Sequence, residues 1–211
     1  MPVICPTVTA QSSTEFRAQM ERIHGFSKRI HLDFMDGIFA PNKSIPIASA
    51  WWQPGPIVDL HVMYKNPLSE IENIIMLQPH LVIIHAEAER VFDFLHELDE
   101  LGIKKGIALL KDTPVSAIES LLPLLDHVLI FSGELGCFGG TADVQLLQKA
   151  ALIKNLRPKI EIGWDGGINL ENAASLASGG IDVLNTGGFI HNSENPEAAY
   201  DTLEKAIAEG K

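Results

Sequence analysis

Four side chains in this sequence could do chemistry together, because each lies near the end of a short apolar run that predicts a β-strand. They are His31, Asp33, His61 and Asp165. Two imidazoles and two carboxylates form a suitable ligand set for one divalent cation such as zinc, iron, manganese or cobalt. Two carboxylates across a pocket can also remove a proton from a single carbon and return one to it. If the fold gathers these residues, the chain is predicted to be a metal-assisted enzyme.

The elements that must position these residues alternate regularly along the chain. Short runs rich in Val and Ile predict strands buried on both faces of a parallel sheet. These strands span residues 3–5, 29–33, 57–62, 81–85, 106–110, 127–131, 160–164 and 183–185. Apolar residues at i, i+3 and i+4 predict helices at 15–23, 68–76, 91–101, 115–122, 142–156, 170–178 and 196–208, with only a short helix around 47–52. About eight such units predict one (β/α)₈ TIM-barrel domain over residues 1–211, and the alternative is a doubly wound open sheet.

In a barrel of this kind, the chemistry lies at the C-terminal ends of the strands. The four residues occupy such ends on the second, third and seventh predicted strands. His31 and Asp33 are two positions apart, so both are expected to face the barrel interior. A single His or Asp at such a place is equally well explained as a hydrogen-bonded residue capping the core. Four of them at one mouth favour a metal site, because buried charges are costly unless they are paired or ligated.

Glycine pairs follow the last three predicted strands and indicate a second kind of site. They are Gly139-Gly140, Gly166-Gly167 and Gly187-Gly188. Each pair alone is typical of an ordinary turn. Together, at the mouth where barrels bind phosphate, they favour a cradle of backbone N–H groups around a phosphate.

Two further pairs of residues have open interpretations. Met35 and Met63 lie two residues beyond His31 and His61, where methionine serves either as core filler or as an apolar floor beside a reacting centre. His85 and Glu87 end the fourth predicted strand. They are either partners that support a metal ligand or part of a solvated or hydrogen-bonded rim.

Composition and charge exclude some classes of partner. The 211 residues include 16 basic and 27 acidic side chains, which gives a formal net charge of −11. That balance argues against a surface for nucleic acid or an anionic membrane. No apolar run is long enough for a membrane span, and no signal peptide is visible. The only cysteines, Cys5 and Cys137, have no spacing typical of a disulfide or zinc site, which favours the cytoplasm.

Several strings in the chain resemble those of ribulose-phosphate 3-epimerases. The most specific is His31-Leu32-Asp33-Phe34-Met35-Asp36-Gly37, followed by Phe39-Ala40-Pro41-Asn42. Asp59-Leu60-His61-Val62-Met63, His85-Ala86-Glu87, Phe138-Gly139-Gly140 and Asp165-Gly166-Gly167-Ile168 follow in the same order and spacing. The similarity extends from Ile4-Cys5-Pro6-Thr7 to Leu184-Asn185-Thr186-Gly187-Gly188.

The resemblance implies a TIM barrel that inverts carbon 3 of a ketopentose phosphate, interconverting ribulose 5-phosphate and xylulose 5-phosphate. It implies one divalent metal, first of all zinc, on His31, Asp33, His61 and Asp165, with Asp33 and Asp165 as the two acid/base groups. It also implies a homo-oligomer. The substrate-binding residues that it implies are Thr7, Met35, His61, Met63, Cys137, Phe138, Gly139, Gly140, Gly166, Gly167, Gly187 and Gly188.

The chain departs from the family pattern around the expected phosphate loops. The family usually has Ser at Thr7, Met at Phe131 and Ser at Gly188, and its loop after the sixth strand is one residue shorter, with Gly in place of Cys137. Glu134 adds a negative charge to that loop. A hexulose phosphate such as allulose 6-phosphate is therefore an alternative substrate.

Two other functions are compatible with the same barrel. An aldolase-like or decarboxylase-like reaction would need a lysine beside the carboxylates, for which Lys43, Lys65 and Lys111 are available. A non-catalytic barrel that binds a sugar phosphate would explain the altered loop.

Overall fold

The computed structural model describes residues 2–136 and 139–210, and its strands form a closed barrel. The strands are β1 (Val3–Thr9), β2 (Arg29–Met35), β3 (Ile57–Met63), β4 (Leu81–His85), β5 (Lys104–Leu109), β6 (His127–Phe131), β7 (Glu161–Asp165) and β8 (Val183–Thr186). Neighbours pair in parallel in sequence order, and β8 pairs with β1. This closure is the predicted TIM barrel and excludes the doubly wound open sheet, which has two edge strands.

Helices surround the barrel on the outside. They are α1 (Ser13–Ile23), α2 (Ile71–Leu77), α3 (Val91–Glu100), α4 (Leu147–Leu156), α5 (Ala173–Ser178), α6 (Gly188–His191) and α7 (Pro196–Glu209). Short 3₁₀ segments lie at Ile47–Ser49, Pro67–Glu70, Val115–Ile118, Leu122–Leu124 and Val144–Leu146. Within the described ranges, no helix is both long and apolar enough to cross a membrane.

The predicted helices at 142–156 and 170–178 begin later than expected, at Leu147 and Ala173, and β5 begins two residues earlier, at Lys104. Three further differences have a clear physical reason. The helix predicted at 115–122 is wrong, because the chain forms two 3₁₀ segments there; Pro123 cannot donate a backbone N–H to continue a helix. Strand β1 extends four residues beyond its predicted end at Cys5. The four-residue helix α6 was not predicted, since its start at Gly188 has low intrinsic helix propensity.

Each strand presents one face to the helices and the other to the barrel interior. On β2, Ile30, Leu32 and Phe34 belong to the same buried apolar cluster as Phe16 of α1. His31, between Ile30 and Leu32, therefore faces the interior, and Asp33 does so by the same alternation. The register of the sheet places Asp33 beside His61 on β3. The period-2 pattern that builds the core thus also delivers the polar residues to one cavity.

The opposite, N-terminal end of the barrel is closed by an ion-pair network. Arg29 Nε donates to Asp59 Oδ2 at 2.6 Å, and its two terminal nitrogens donate to Glu161 at 2.9 and 2.8 Å. His127 Nδ1 lies 2.8 Å from the same carboxylate. Arg29, Asp59 and His127 are buried, so the charges compensate one another inside the barrel. We therefore assign this network a structural role, because it lies at the end of the barrel remote from the predicted site.

Candidate metal and proton-transfer site

The four predicted metal ligands meet at the C-terminal mouth of the barrel. One ligand atom from each of His31, Asp33, His61 and Asp165 lies within 4.8 Å of all the others. His31 and Asp33 come from β2, His61 from β3 and Asp165 from the last position of β7. Residues far apart in the chain are neighbours here because a closed barrel brings every strand end to one rim.

The distances within this tetrad suit a shared cation. His61 Nδ1 lies 3.0 Å from Asp33 Oδ1 and 3.8 Å from Asp165 Oδ2. His31 Nε2 lies 3.3 Å from Asp33 Oδ1 and 3.7 Å from Asp165 Oδ2. Both ring nitrogens of His31 are buried without a hydrogen-bond partner among the described residues. Two imidazoles and two carboxylates with an unpartnered nitrogen between them fit a divalent cation such as zinc.

The two carboxyl groups of the tetrad have different electrostatic environments. Burial alone would raise the pKa of Asp33, but its interactions with His31 and His61 outweigh burial and hold that pKa well below its usual range. Burial, reinforced by the negative charge of Asp33, raises the pKa of Asp165 to about 7. The pocket therefore separates two chemically identical groups, a common property of acid/base pairs.

The two imidazoles also respond to the tetrad. Burial lowers the pKa of His61 to about 4, despite the opposing effect of Asp33, so its ring is neutral near pH 7 and offers a lone pair. Burial disfavours the cationic form of His31 as well, but Asp33 and Asp165 outweigh it and raise the pKa of His31. The two carboxylates thus stabilise positive charge beside His31, as a cation site requires, while His61 stays neutral.

Thr9 supports Asp33 and was missed by the sequence reasoning. Its hydroxyl donates to Asp33 Oδ2 at 2.7 Å. The Gln19 side chain holds the Thr9 backbone through two hydrogen bonds, at 3.0 and 2.9 Å. The Thr7-Val8-Thr9 alternation is the sequence signal for this residue, and it lies beyond Pro6 in the part of β1 that the predicted strand, ending at Cys5, does not include. A proline is tolerated there because its carbonyl can still accept within the sheet.

A cleft of about 580 Å³ opens beside the tetrad. Among the predicted residues, Asp33 and Asp165 line it together with Thr7, Met35, Met63, Gly139, Gly140, Gly166, Gly167, Gly187 and Gly188. His31 and His61 lie behind its surface and are fully buried. Cys137 and Phe138, also predicted to bind substrate, lie outside the described residues.

The two predicted methionines form an apolar wall of the cleft. Met35 and Met63 are buried against each other and Ala40, with Phe39 and Leu135 packed on them. The loop after β2, which carries Phe39, is shaped by Asp36, whose carboxylate accepts hydrogen bonds from three backbone N–H groups. The wall therefore makes the β2 and β3 side of the cleft apolar.

The glycines after β7 permit a close approach to the loop after β6. Gly166 and Gly167 have φ angles of +107° and +72°. A Cβ atom on Gly166 would lie 2.2 Å from the backbone nitrogen of Gly133, and one on Gly167 would lie 2.1 Å from that of Ala142. These positions accept only glycine without rearrangement of the neighbouring loop.

Two buried polar side chains on the wall of the cleft lack partners among the described residues. They are the hydroxyl of Thr7, which was predicted, and both amide atoms of Asn185, which was not. Asn185 pairs in register with Asp165 and is 2% exposed. A polar residue inside an otherwise apolar strand, Val183-Leu184-Asn185, was the available signal. Buried amides without partners are rare in folded proteins, so Asn185 is a candidate for contact with a ligand.

His85 and Glu87, whose position was left open, lie behind the tetrad. His85 Nε2 is 2.9 Å from His61 Nε2, and His85 is fully buried. The solvated-rim interpretation is therefore wrong for His85, because its ring contacts a tetrad member and not solvent.

Known structures share this fold. The 3-keto-L-gulonate-6-phosphate decarboxylase of Vibrio cholerae aligns with 100% of this chain and 99% of its own, at a TM-score of 0.78 and 13% identity. The 3-hexulose-6-phosphate synthase of Salmonella typhimurium aligns with 99% of this chain and 100% of its own, at a TM-score of 0.73 and 13% identity. At this level of identity the likeness shows the TIM-barrel fold alone.

Sequence comparisons are more specific. The ribulose-phosphate 3-epimerase of Mycobacterium leprae is 28% identical over 213 residues, covering 97% of this chain and 94% of that protein. The ribulose-phosphate 3-epimerase of Helicobacter pylori is 31% identical over 193 residues, covering 83% of this chain and 84% of that protein. A model of the ribulose-phosphate 3 epimerase family matches residues 3–191. The chain therefore belongs to the ribulose-phosphate 3-epimerase family.

Proposed function

We propose that this protein is a metal-dependent epimerase that inverts carbon 3 of a ketose phosphate. Ribulose 5-phosphate and xylulose 5-phosphate are the first substrate pair, and a hexulose 6-phosphate such as allulose 6-phosphate is the alternative. The observation that carries the proposal is the meeting of Asp33 and Asp165 with two imidazoles at the wall of one cleft. Family membership supports the same reaction.

His31, Asp33, His61 and Asp165 would hold the metal. A bound divalent cation supplies Lewis-acid stabilisation of the negative charge that develops on substrate oxygens. The neutral state of His61 near pH 7 suits a ligand role. Identification of the metal bound to the purified protein by elemental analysis, and its removal by a chelator with recovery on re-addition, tests this part.

Inversion needs a base on one face of carbon 3 and an acid on the other. One aspartate takes the proton, which leaves an enediolate, and the other donates a proton to the opposite face. In the reverse direction the two aspartates exchange roles. Thr9 would hold Asp33 in place through its 2.7 Å hydrogen bond, and Met35 and Met63 would exclude water from the reacting carbon.

The phosphate would be held by backbone groups. Of the described residues that line the cleft, none is a lysine or arginine. A phosphate bound there would depend on backbone N–H donors, which the loops Gly166-Gly167 and Gly187-Gly188 can offer at short range.

The aldolase-like alternative finds no support among the described contacts. No lysine within residues 2–136 and 139–210 forms an ion pair with Asp33 or Asp165, and Lys65 instead pairs with Glu89 at 3.5 Å. The proposal therefore keeps proton transfer by two carboxylates.

Solvent-exchange NMR tests the proposed reaction. Metal-replete protein incubated with ribulose 5-phosphate in deuterium oxide should replace the hydrogen at carbon 3 by deuterium and produce xylulose 5-phosphate. The same assay with allulose 6-phosphate compares the two substrate classes. Tight binding of these sugar phosphates without exchange in any of them would contradict the proposal and favour the non-catalytic barrel.

A further inference from the structure

A row of polar side chains runs from His61 away from the cleft. The Nε2 atoms of His61 and His85 face each other at 2.9 Å, and His85 Nδ1 lies 3.5 Å from Glu87 Oε2. Both imidazoles are fully buried. Neither His85 nor Glu87 belongs to the described lining of the cleft, so neither is placed to touch a substrate.

Neutral imidazoles in such a row must carry their protons in a matched pattern. Each neutral ring has one N–H donor and one acceptor nitrogen. Only one proton fits between the facing Nε2 atoms, so one ring donates and the other accepts. If His61 is to ligate a metal through Nδ1, its proton must be on Nε2. His85 then accepts at Nε2 and carries its own proton on Nδ1, which faces Glu87.

Glu87 is held in a position that favours this pattern. Its Oε1 accepts hydrogen bonds from the Thr113 hydroxyl and, at 3.4 Å, from the Leu110 backbone N–H. Its Oε2 is left for His85, and an ionised carboxylate can only accept. The rings of Phe39 and Phe131 pack against His85, with centroids at 4.8 and 5.6 Å, and limit its rotation.

We propose that Glu87, acting through His85, is a positioning residue that sets the tautomer of His61 so that Nδ1 presents its lone pair to the metal. The inference rests on the proposed metal site. In the opposite tautomer, the Nδ1 proton of His61 would point at Asp33 Oδ1, 3.0 Å away, and the lone pair would be lost to the metal. Groups that orient a histidine ligand commonly change metal affinity about 10- to 100-fold when they are substituted.

Glu87→Gln is the decisive substitution. The Leu110 N–H can only donate, so the amide oxygen of glutamine stays with it and the amide NH₂ group turns toward His85. His85 Nδ1 must then accept, and the proton pattern of the row reverses. We expect zinc affinity, measured by competition with a chromophoric chelator, to fall about 10- to 100-fold. Long-range ¹H–¹⁵N NMR of the zinc-bound protein should show the protons on His61 Nε2 and His85 Nδ1 in the wild type, and the His85 proton displaced from Nδ1 in the variant.

Three variants separate positioning from a general structural effect. Glu87→Asp keeps an acceptor-only carboxylate and should preserve the wild-type proton on His85 Nδ1. Glu89→Gln makes the same change of charge at an exposed site and should leave zinc affinity unchanged. His85→Gln supplies an oxygen that can accept from His61 Nε2 without help from Glu87, so adding Glu87→Gln to it should cause no further loss of affinity.

The outcomes distinguish this inference from the proposed function. A Glu87→Gln protein with wild-type zinc affinity and the His85 proton still on Nδ1 would overturn the role of Glu87. An equal loss of affinity from Glu87→Gln in the presence and absence of His85→Gln would overturn the route through His85. A wild type that binds neither zinc nor another divalent metal would overturn the proposed metal site itself, whereas normal zinc binding by Glu87→Gln overturns only the role of Glu87.

Discussion

At the scale of single residues, the two aspartates of the site have different pKa values because their surroundings differ. Asp33 accepts from Thr9 and lies beside both imidazoles, which hold its pKa low. Asp165 is buried near the charge of Asp33, which raises its pKa to about 7. A pair of carboxyls with separated pKa values can hold one proton between them, which is the state from which a proton can be taken on one face and given on the other.

Asp33→Asn and Asp165→Asn should each stop net epimerisation, lowering turnover by about 100- to 10,000-fold. Each variant should still exchange the carbon 3 hydrogen of one epimer, because in the proposed mechanism the remaining carboxylate faces that hydrogen. Proton NMR in deuterium oxide, started separately from ribulose 5-phosphate and xylulose 5-phosphate, measures this. Metal content is checked in both variants, and exchange of both epimers at similar rates by either variant would exclude the two-base mechanism.

Asn185→Leu should have opposite effects on activity and stability. Removal of a buried amide that lacks a described partner should raise the free energy of unfolding, by about 1–3 kcal/mol. If the amide binds a substrate oxygen, KM should rise at the same time. Urea unfolding and steady-state kinetics measure the two quantities. A loss of stability with unchanged KM would show that Asn185 has a structural partner instead.

At the scale of elements, the loops that border the cleft are joined by a hydrogen bond and by close backbone packing. The Asn42 side chain, in the loop after β2, donates to the Gly136 carbonyl in the loop after β6 at 2.6 Å, and these two loops arise on opposite sides of the barrel. The loop after β7 contacts the loop after β6 so closely, at Gly133 and Ala142, that side chains are excluded at Gly166 and Gly167. The glycine cluster therefore has a packing role besides any contact with phosphate.

Gly167→Ala should disrupt this packing, and Gly102→Ala is its matched control. Both glycines have positive φ, at +72° and +67°. A Cβ on Gly167 would collide with the loop at Ala142, whereas the structure shows nothing within 4 Å of one on Gly102. We expect the control to lose about 1 kcal/mol of stability and keep its KM, and Gly167→Ala to lose more stability and bind the substrate phosphate poorly. Equal losses in both would mean that backbone strain alone matters.

At the scale of the whole molecule, the two ends of the barrel differ. The N-terminal end carries a buried ion-pair network, and the C-terminal end carries the candidate metal site. The network of Arg29, Asp59, His127 and Glu161 closes the N-terminal end. Burial alone would raise the pKa of Glu161, but His127 and Arg29 outweigh burial and hold it well below the ordinary value of 4.5. The homo-oligomer and the single-domain organisation expected from the sequence stay predictions, and light scattering of the purified protein measures the first.

The lowered pKa of Glu161 makes stability depend on pH. Because the unfolded chain binds this proton more tightly, the stabilisation is present above pH 4.5 and is lost as the pH falls toward the lower folded pKa. Glu161→Gln should therefore be less stable than the wild type near pH 7, and its free energy of unfolding should fall less steeply between about pH 5 and pH 3. Urea unfolding across that range measures both, with exposed Glu89→Gln as the control; parallel slopes for wild type and Glu161→Gln would contradict the prediction.

The sequence by itself determined the alternation of strands and helices and the identity of the tetrad. The apolar pattern of each strand is set by local burial on both faces, and it can be read directly from runs such as the one around Ile30 and Leu32. His31, Asp33, His61 and Asp165 were identified because each lies near the end of such a run. The resemblance to the family then supported their assignment to one site. The 3₁₀ segments after Pro114 and the extension of β1 through Pro6 were missed, because a proline has different effects in different tertiary settings.

Only the tertiary structure decided which polar groups share an environment. Thr9 beside Asp33, His85 beside His61 and the unpartnered amide of Asn185 depend on strand register and barrel closure, which join residues far apart in the chain. The separation of the pKa values of Asp33 and Asp165 arises in the same way, since burial and neighbouring charge are properties of the folded cavity. The sequence shows which residue types are present. Their pKa values and hydrogen-bond partners depend on distances that only the folded structure provides.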